Sequence, residues 1–129
     1  MRWKQCFHEK IATMTTGTDC IFCKIANKEI PARLEHEDAL CVAFHDLNPQ
    51  APTHLLVVPR KHITSLAHAT PPDTAVLGHL LQVAAQLAER LQWSNGFRAV
   101  FNSGSDGGQT VDHLHLHLLA GRALHWPPG

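Results

Sequence analysis

Residues 112–119 read "DHLHLHLL": three histidines on alternate positions with leucines between them. A period of two is the period of a β-strand, whose successive side chains point to opposite faces. On that reading His113, His115 and His117 share one face at ~7 Å intervals, while Leu114, Leu116 and Leu118 pack on the other. A lone strand histidine is ordinarily a tolerated polar residue. Three in register opposite three leucines imply a sheet with one apolar face and one chemically equipped face.

Outward from this stretch, "SGSDGGQT" (103–110) is a glycine-rich loop and "FRAVFN" (97–102) a strand. Before them, Leu77, Leu80, Leu81, Ala84, Leu87, Ala88 and Leu91 recur at helical spacing. They predict a helix from about Pro72 to Gln92, with Thr70 as N-cap, prolines in the first turn, and Asn95-Gly96 closing the segment. "HLLVVPR" (54–60) and "ALCVAFHDL" (39–47) read as strands joined by the proline-broken turn "NPQAPTH", and "CIFCKIANKEI" (20–30) as a short helical turn. Strands on both sides of one long helix, with short connections, predict an α+β domain on an antiparallel sheet.

The chain has 129 residues, 44% of them hydrophobic, which suits one globular domain. Eleven basic and eleven acidic residues balance, so no attraction to nucleic acid or to an anionic membrane is built in. No apolar run approaches the roughly 20 residues that cross a bilayer. Residues 1–18 lack the apolar core of a secretory signal; they read as a disordered extension, or as a start placed upstream of the true one at Met14. Four cysteines without a secretion signal suggest thiols or a metal site rather than disulfides, and a cytoplasmic protein.

Two chemistries suit the histidine face. Three imidazoles can hold a catalytic zinc with an open fourth position, or one can be a nucleophile supported by its neighbours. The preceding loop favours the second. Gly107 and Gly108 let backbone approach a ligand, Gln109 and Thr110 add donors, and bare N–H groups make an anion cradle. An anion site beside a histidine face suits phosphorus chemistry, with loop donors holding the nonbridging oxygens. Displacement at phosphorus goes more easily when the leaving group is protonated. A histidine pKa near ~6.5 lets one ring attack while another carries the proton.

These motifs resemble the histidine-triad (HIT) family, specifically its Hint branch of purine nucleoside phosphoramidases. The resemblance runs from about Asp19 to Gly129, through "CIFCKIANKEIPA", "AFHDLNPQAPTHLLVVPRKHI", "LGHL" and "NSGSDGGQTVDHLHLHLLAGRALHWPPG". It implies a HIT-like fold of about five antiparallel strands with one long and one short helix, dimerising into a larger continuous sheet. It further implies that His115 attacks the α-phosphorus of a nucleoside 5′-phosphoramidate and leaves a nucleotidyl-histidine for water to hydrolyse. His113, His117, His54 and Thr110 would support the chemistry. Asn102, Gly108, Gln109, Thr110 and His117 would hold the phosphate region, and Asp46 and Leu47 the ribose. Ile21, Phe22, Ile25 and Phe44 would sandwich the purine, where plain core packing is the other reading.

The same resemblance implies no cofactor for catalysis. Cys20-x-x-Cys23 alone fits a redox pair or two buried thiols. In zinc-binding relatives such a pair joins the positions of His62 and His113 as a structural zinc site, whereas many Hint relatives lack the cysteines. The tail "LHWPPG" (124–129) is stiff and carries Trp126. It is expected to dock either on its own core or, as in Hint relatives, at a homodimer interface beside the partner's pocket. Rival readings are a dinucleoside polyphosphate hydrolase or nucleotidyl transferase of the same superfamily, a non-catalytic nucleotide-binding scaffold, and a three-histidine zinc hydrolase. The first usually carries glutamine where this chain has His117.

Overall fold

The computed structural model describes residues 19–129, so the reading of residues 1–18 lies outside the described residues. The elements run α1 (Ile21–Ala26), β1 (Leu34–Glu37), β2 (Cys41–His45), β3 (Thr53–Pro59), α2 (Thr74–Arg90), β4 (Phe97–Phe101) and β5 (Leu116–Ala120). The five strands form one sheet in the order β1-β2-β3-β5-β4, with every neighbouring pair antiparallel. The α+β architecture expected from the sequence is the one observed. No helix among the described residues is long and apolar enough to cross a membrane.

Helix α2 covers one face of the sheet, packing Leu80, Val83, Ala84 and Leu87 on Leu55, Val57, Leu114, Leu116 and Leu118. Helix α1 covers part of the other, where Phe22 and Ile25 meet Val42, Phe44, Leu56 and Val58. β3 is thus covered on both faces, which is why it reads as an unbroken apolar run rather than an alternating one. Burying this much aliphatic surface at ~25 cal/mol per Å2 is the main favourable contribution to folding.

Several elements differ in detail from their prediction. Strand β1 has no apolar pattern to announce it: it is a four-residue edge, LEHE, with an irregular register between Leu34 and His36. β5 begins only at Leu116, because the ladder partner two residues beyond Val57 is Pro59, which has no N–H to donate. The alternation survives beyond the ladder, since the Leu114 N–H donates to Ile63 O at 2.6 Å and Leu114 is buried with Leu116 and Leu118. Thr70 caps as predicted, forming a capping box with Asp73, but the prolines lie in a 3-10 turn (Pro71–Asp73) ahead of α2. The left-handed residue that ends the helix is Gln92, at φ 60°, and Gly96 serves the next turn. Leu81, expected on the apolar stripe, is 51% exposed, and Val83 takes the buried position.

Candidate active site

β5 and the extended segment before it carry the triad across the face opposite α2. His115 is buried, and its Nδ1–H donates to the His113 carbonyl at 2.7 Å. That bond fixes the tautomer: the lone pair sits on Nε2 of the residue that lines the cavity. His117 has the opposite assignment. The Gln50 N–H donates to His54 Nδ1 at 3.0 Å, so a neutral His54 carries its proton on Nε2. His54 Nε2–H donates in turn to His117 Nδ1 at 2.9 Å, leaving His117 its proton on Nε2. One backbone amide therefore sets the proton positions of two rings. His115 presents an acceptor and His117 a donor, with ring centroids 4.8 Å apart.

Burial pushes all four rings toward the neutral form. It holds His117 down at about 4, with His115 and His54 adding repulsion. It lowers His115 and His54 as well, opposed in His54 by Asp46, whose Oδ2 is 3.6 Å away. His113 is held down at about 3, chiefly by burial. The expectation that one ring of the free site carries a proton at neutral pH is thereby corrected: desolvation outweighs the nearby carboxylate.

Beside these rings opens a cavity of about 310 Å3, lined by Ile21, Phe22, Ile25, Phe44, Asp46, Leu47, Thr110, His115 and His117 among others. Nine of the thirteen expected nucleotide-binding residues thus meet at one cavity. Phe22 packs edge-on against Phe44, His113 and His115, at centroid distances of 5.5, 5.9 and 5.1 Å. The first wall is therefore apolar and rigid, and the short helix α1 supplies it. Asp46 stands at the rim, with Oδ1 accepting from the Asn48 N–H at 2.7 Å. The Leu47 side chain is 99% exposed.

Asn102, Gly108, Gln109 and Trp126 do not line this cavity. The loop is braced from within. The Gln109 carboxamide accepts from the Gly104 N–H and donates to the carbonyls of Thr64 and Val111. The Gly108 and Gln109 amides donate to Ser105 O and Gly104 O. The expected cradle of bare amides is therefore corrected for Gly108 and Gln109, because the tight turns consume these donors. Gly107 is required for the same internal reason: a Cβ there would lie 2.5 Å from Ser103 O. Thr110 is the loop residue at the cavity. Asn102 follows Phe101, which pairs with Leu116, so it lies in register beside His115.

His113 departs from its two companions. It is fully buried, with Nε2–H donating to Pro59 O at 2.9 Å, and it does not line the cavity. Within the triad its contact with His115 runs through its carbonyl, which accepts from His115 Nδ1. Its Nδ1 lies 3.3 Å from Cys20 Sγ, 3.5 Å from Cys23 Sγ and 3.2 Å from His62 Nδ1, and Cys23 Sγ is 3.8 Å from His62 Nδ1. Tetrahedral zinc with Zn–S of ~2.3 Å and Zn–N of ~2.1 Å needs ligand separations of roughly 3.4–3.8 Å, close to these. The bond to Pro59 O also leaves His113 Nδ1 with a lone pair and supplies the outer hydrogen bond common behind metal-bound histidine. The four residues therefore fit a closed metal site. The two sulfurs are also placed to close a disulfide with each other, a state that excludes the metal.

Trp126 is 83% exposed. It does not dock on its own core, and the tail is held instead through backbone: the Arg98 guanidinium donates to His125 O at 2.7 Å.

Known proteins are similar in sequence and in fold. Residues 27–124 match the HIT domain family. An uncharacterised HIT-like protein of Synechocystis is 54% identical over 111 residues, 86% of this chain and 97% of that one. A HIT family hydrolase from Legionella pneumophila superposes with a TM-score of 0.83 at 50% identity, covering 85% of this chain and 99% of its own. A histidine triad protein from Clostridium difficile does so with a TM-score of 0.82 at 48% identity, covering 87% and 97%. With sequence and fold in agreement, the chain belongs to the HIT domain family.

Proposed function

We propose that this protein is a hydrolase of purine nucleoside 5′-phosphoramidates, releasing the nucleoside monophosphate and an amine. The observation that carries the reading is the pair of opposite tautomers at one cavity, an acceptor on His115 and a donor on His117. Similarity to a HIT family hydrolase supports a hydrolytic reaction.

In this reading the base lies between Ile21, Phe22, Ile25 and Phe44, and Asp46 and Leu47 meet the ribose. Thr110 and Asn102 hold the nonbridging oxygens; Gly108 and Gln109 act by shaping the loop. His115 Nε2 attacks phosphorus and the P–N bond breaks, its electron pair going to the departing nitrogen. The His54–His117 pair takes up one proton as the phosphoramidate anion binds, and His117 Nε2–H then protonates that nitrogen, so a neutral amine leaves, the pair returns to neutral and a nucleotidyl-His115 forms. The bound phosphoramidate anion raises the pKa of His117 from its lowered value in the free site, which is the direction a proton donor needs. Water then gives a proton back to His117 as its oxygen attacks phosphorus, and the P–N bond to His115 breaks.

Cys20, Cys23, His62 and His113 would hold a zinc ion as a structural group; with four protein ligands it leaves no open position for substrate. Cysteines in that use suit a reducing compartment such as the cytoplasm. The exposed Trp126 and the open edge of β4 suit a homodimer in which the tail reaches the partner's pocket.

Turnover of a fluorogenic adenosine phosphoramidate, with and without chelator, tests the proposal. His115→Ala should lose several orders of magnitude in kcat while still binding AMP, and His117→Ala should be slowed without ever carrying the nucleotide. Near-normal turnover by His115→Ala would sink the mechanism.

A further inference from the structure

The proton on His117 is set by a backbone amide, and that amide belongs to an exposed loop. Gln50 is exposed, and its N–H is the group that donates to His54 Nδ1. The Gln50 backbone must hold this N–H inward, because in an Nδ1–H tautomer His54 would meet the amide with a second donor, losing that bond and reversing the one to His117. The carbonyl of the same residue, one Cα away in the next peptide unit, is where the backbone is held. Arg122 Nε and Nη2 donate to Gln50 O at 3.1 and 2.9 Å, two charge-assisted bonds on one oxygen. The residue beside the arginine is fitted to the same loop: Gly121 has φ 100°, and a Cβ there would lie 2.8 Å from Pro52 Cβ. The pairing Thr53↔Ala120 places the chain leaving β5 directly against the chain entering β3. Arg122 Nη1 donates to its neighbour's carbonyl, Ala123 O, which steadies the guanidinium plane.

We propose that Arg122 is a positioning residue for the proton donor of the triad: by clamping the Gln50 carbonyl it keeps the Gln50 N–H on His54 Nδ1, and so keeps the proton of His117 on Nε2. The inference deepens the phosphoramidase reading and rests on it for its kinetic consequence, but the tautomers themselves do not depend on what the substrate is. Arg122 is exposed and bonds only to backbone carbonyls, so its replacement leaves the core intact.

The test uses the full chain with 15N-labelled histidine. Imidazole nitrogen shifts, which separate protonated from bare nitrogens, should report His54 and His117 as Nε2–H tautomers. In Arg122→Ala the Nδ1–H tautomer of His54 should grow in. Arg122→Lys, able to make one bond in place of two, should fall between. Arg98→Ala, which frees the tail at His125 O but leaves the clamp, should keep the native shifts. On the phosphoramidate substrate, Arg122→Ala should lower kcat roughly ten- to a hundredfold, up to the lower bound of what general acid catalysis supplies, with KM little changed. Native shifts in Arg122→Ala would overturn the proposal whatever happens to kcat, and so would shifted tautomers with an unchanged kcat. Absence of any turnover by the unmodified protein would strike the phosphoramidase reading and leave the nitrogen shifts to decide whether Arg122 governs the relay.

Discussion

Lowering the pH from 7.5 to 4.5 should destabilise the metal-free protein through its histidines, before the carboxylates come into play. A histidine whose folded pKa lies below its unfolded value near ~6.5 contributes nothing at high pH, where both states are neutral. As pH falls below ~6.5 the unfolded chain takes up a proton that the folded chain refuses, and stability is lost until the folded pKa is reached. His113, held at about 3, stays neutral in the folded state across the whole window. At pH 4.5 its contribution to the loss is about 3 kcal/mol, from two pH units at ~1.4 kcal/mol each. His117, held at about 4 but less deeply buried, adds a smaller amount after allowing for solvent screening. His54 and His115 act in the same direction. Of a total stability of ~5–15 kcal/mol this is a large share. Urea melts of chelator-treated, reduced protein at half-unit pH steps would measure it, and the slope should shrink by up to one proton in His117→Asn. A stability flat between pH 7 and 5, or one that rises on acidification, would refute the claim that the triad is held neutral by burial.

Three other outcomes follow from the geometry. Protein purified under reducing conditions should hold about one zinc per chain, and stripping it or replacing Cys23 by serine should lower Tm while part of the activity survives, as metal content and calorimetry will show. Gly107→Ala should destabilise by roughly 2 kcal/mol or more, because its Cβ would strike backbone at Ser103 rather than a yielding side chain, and it should slow turnover by displacing Thr110. Removing residues 125–129 should change selectivity among amine leaving groups more than affinity for AMP. An unchanged selectivity, or a monomer in sedimentation, would remove Trp126 from the pocket.

The period-two histidine stretch was enough to locate the sheet face that carries the chemistry, because alternation is a property of extended backbone whether or not the ladder continues. It could not show where the ladder stops, since that depends on Pro59 in a partner strand 57 residues from Leu116. Strand β1 was hidden because an edge needs no apolar face. Glu35 of β1 is bonded by His45 of β2 and by Arg90 at the end of α2, so the strand's polar residues are matched by polar neighbours that only the fold brings near. Site positions were legible where a side chain is marked by its own identity, as with His115 and Phe22 at the cavity or the two cysteines in the Cys2His2 cluster. They were not legible where backbone decides. Gln109 resembles a phosphate ligand and its carboxamide braces the loop, His113 resembles a catalytic ring and lies outside the cavity with its carbonyl on His115, and neither placement is visible without knowing which donors the turns consume. The proton on His117 is the sharpest case. It depends on the backbone of one residue, Gln50, whose carbonyl is held from the far end of the chain by Arg122, and a sequence names the residues of such a relay without saying which nitrogen holds the proton.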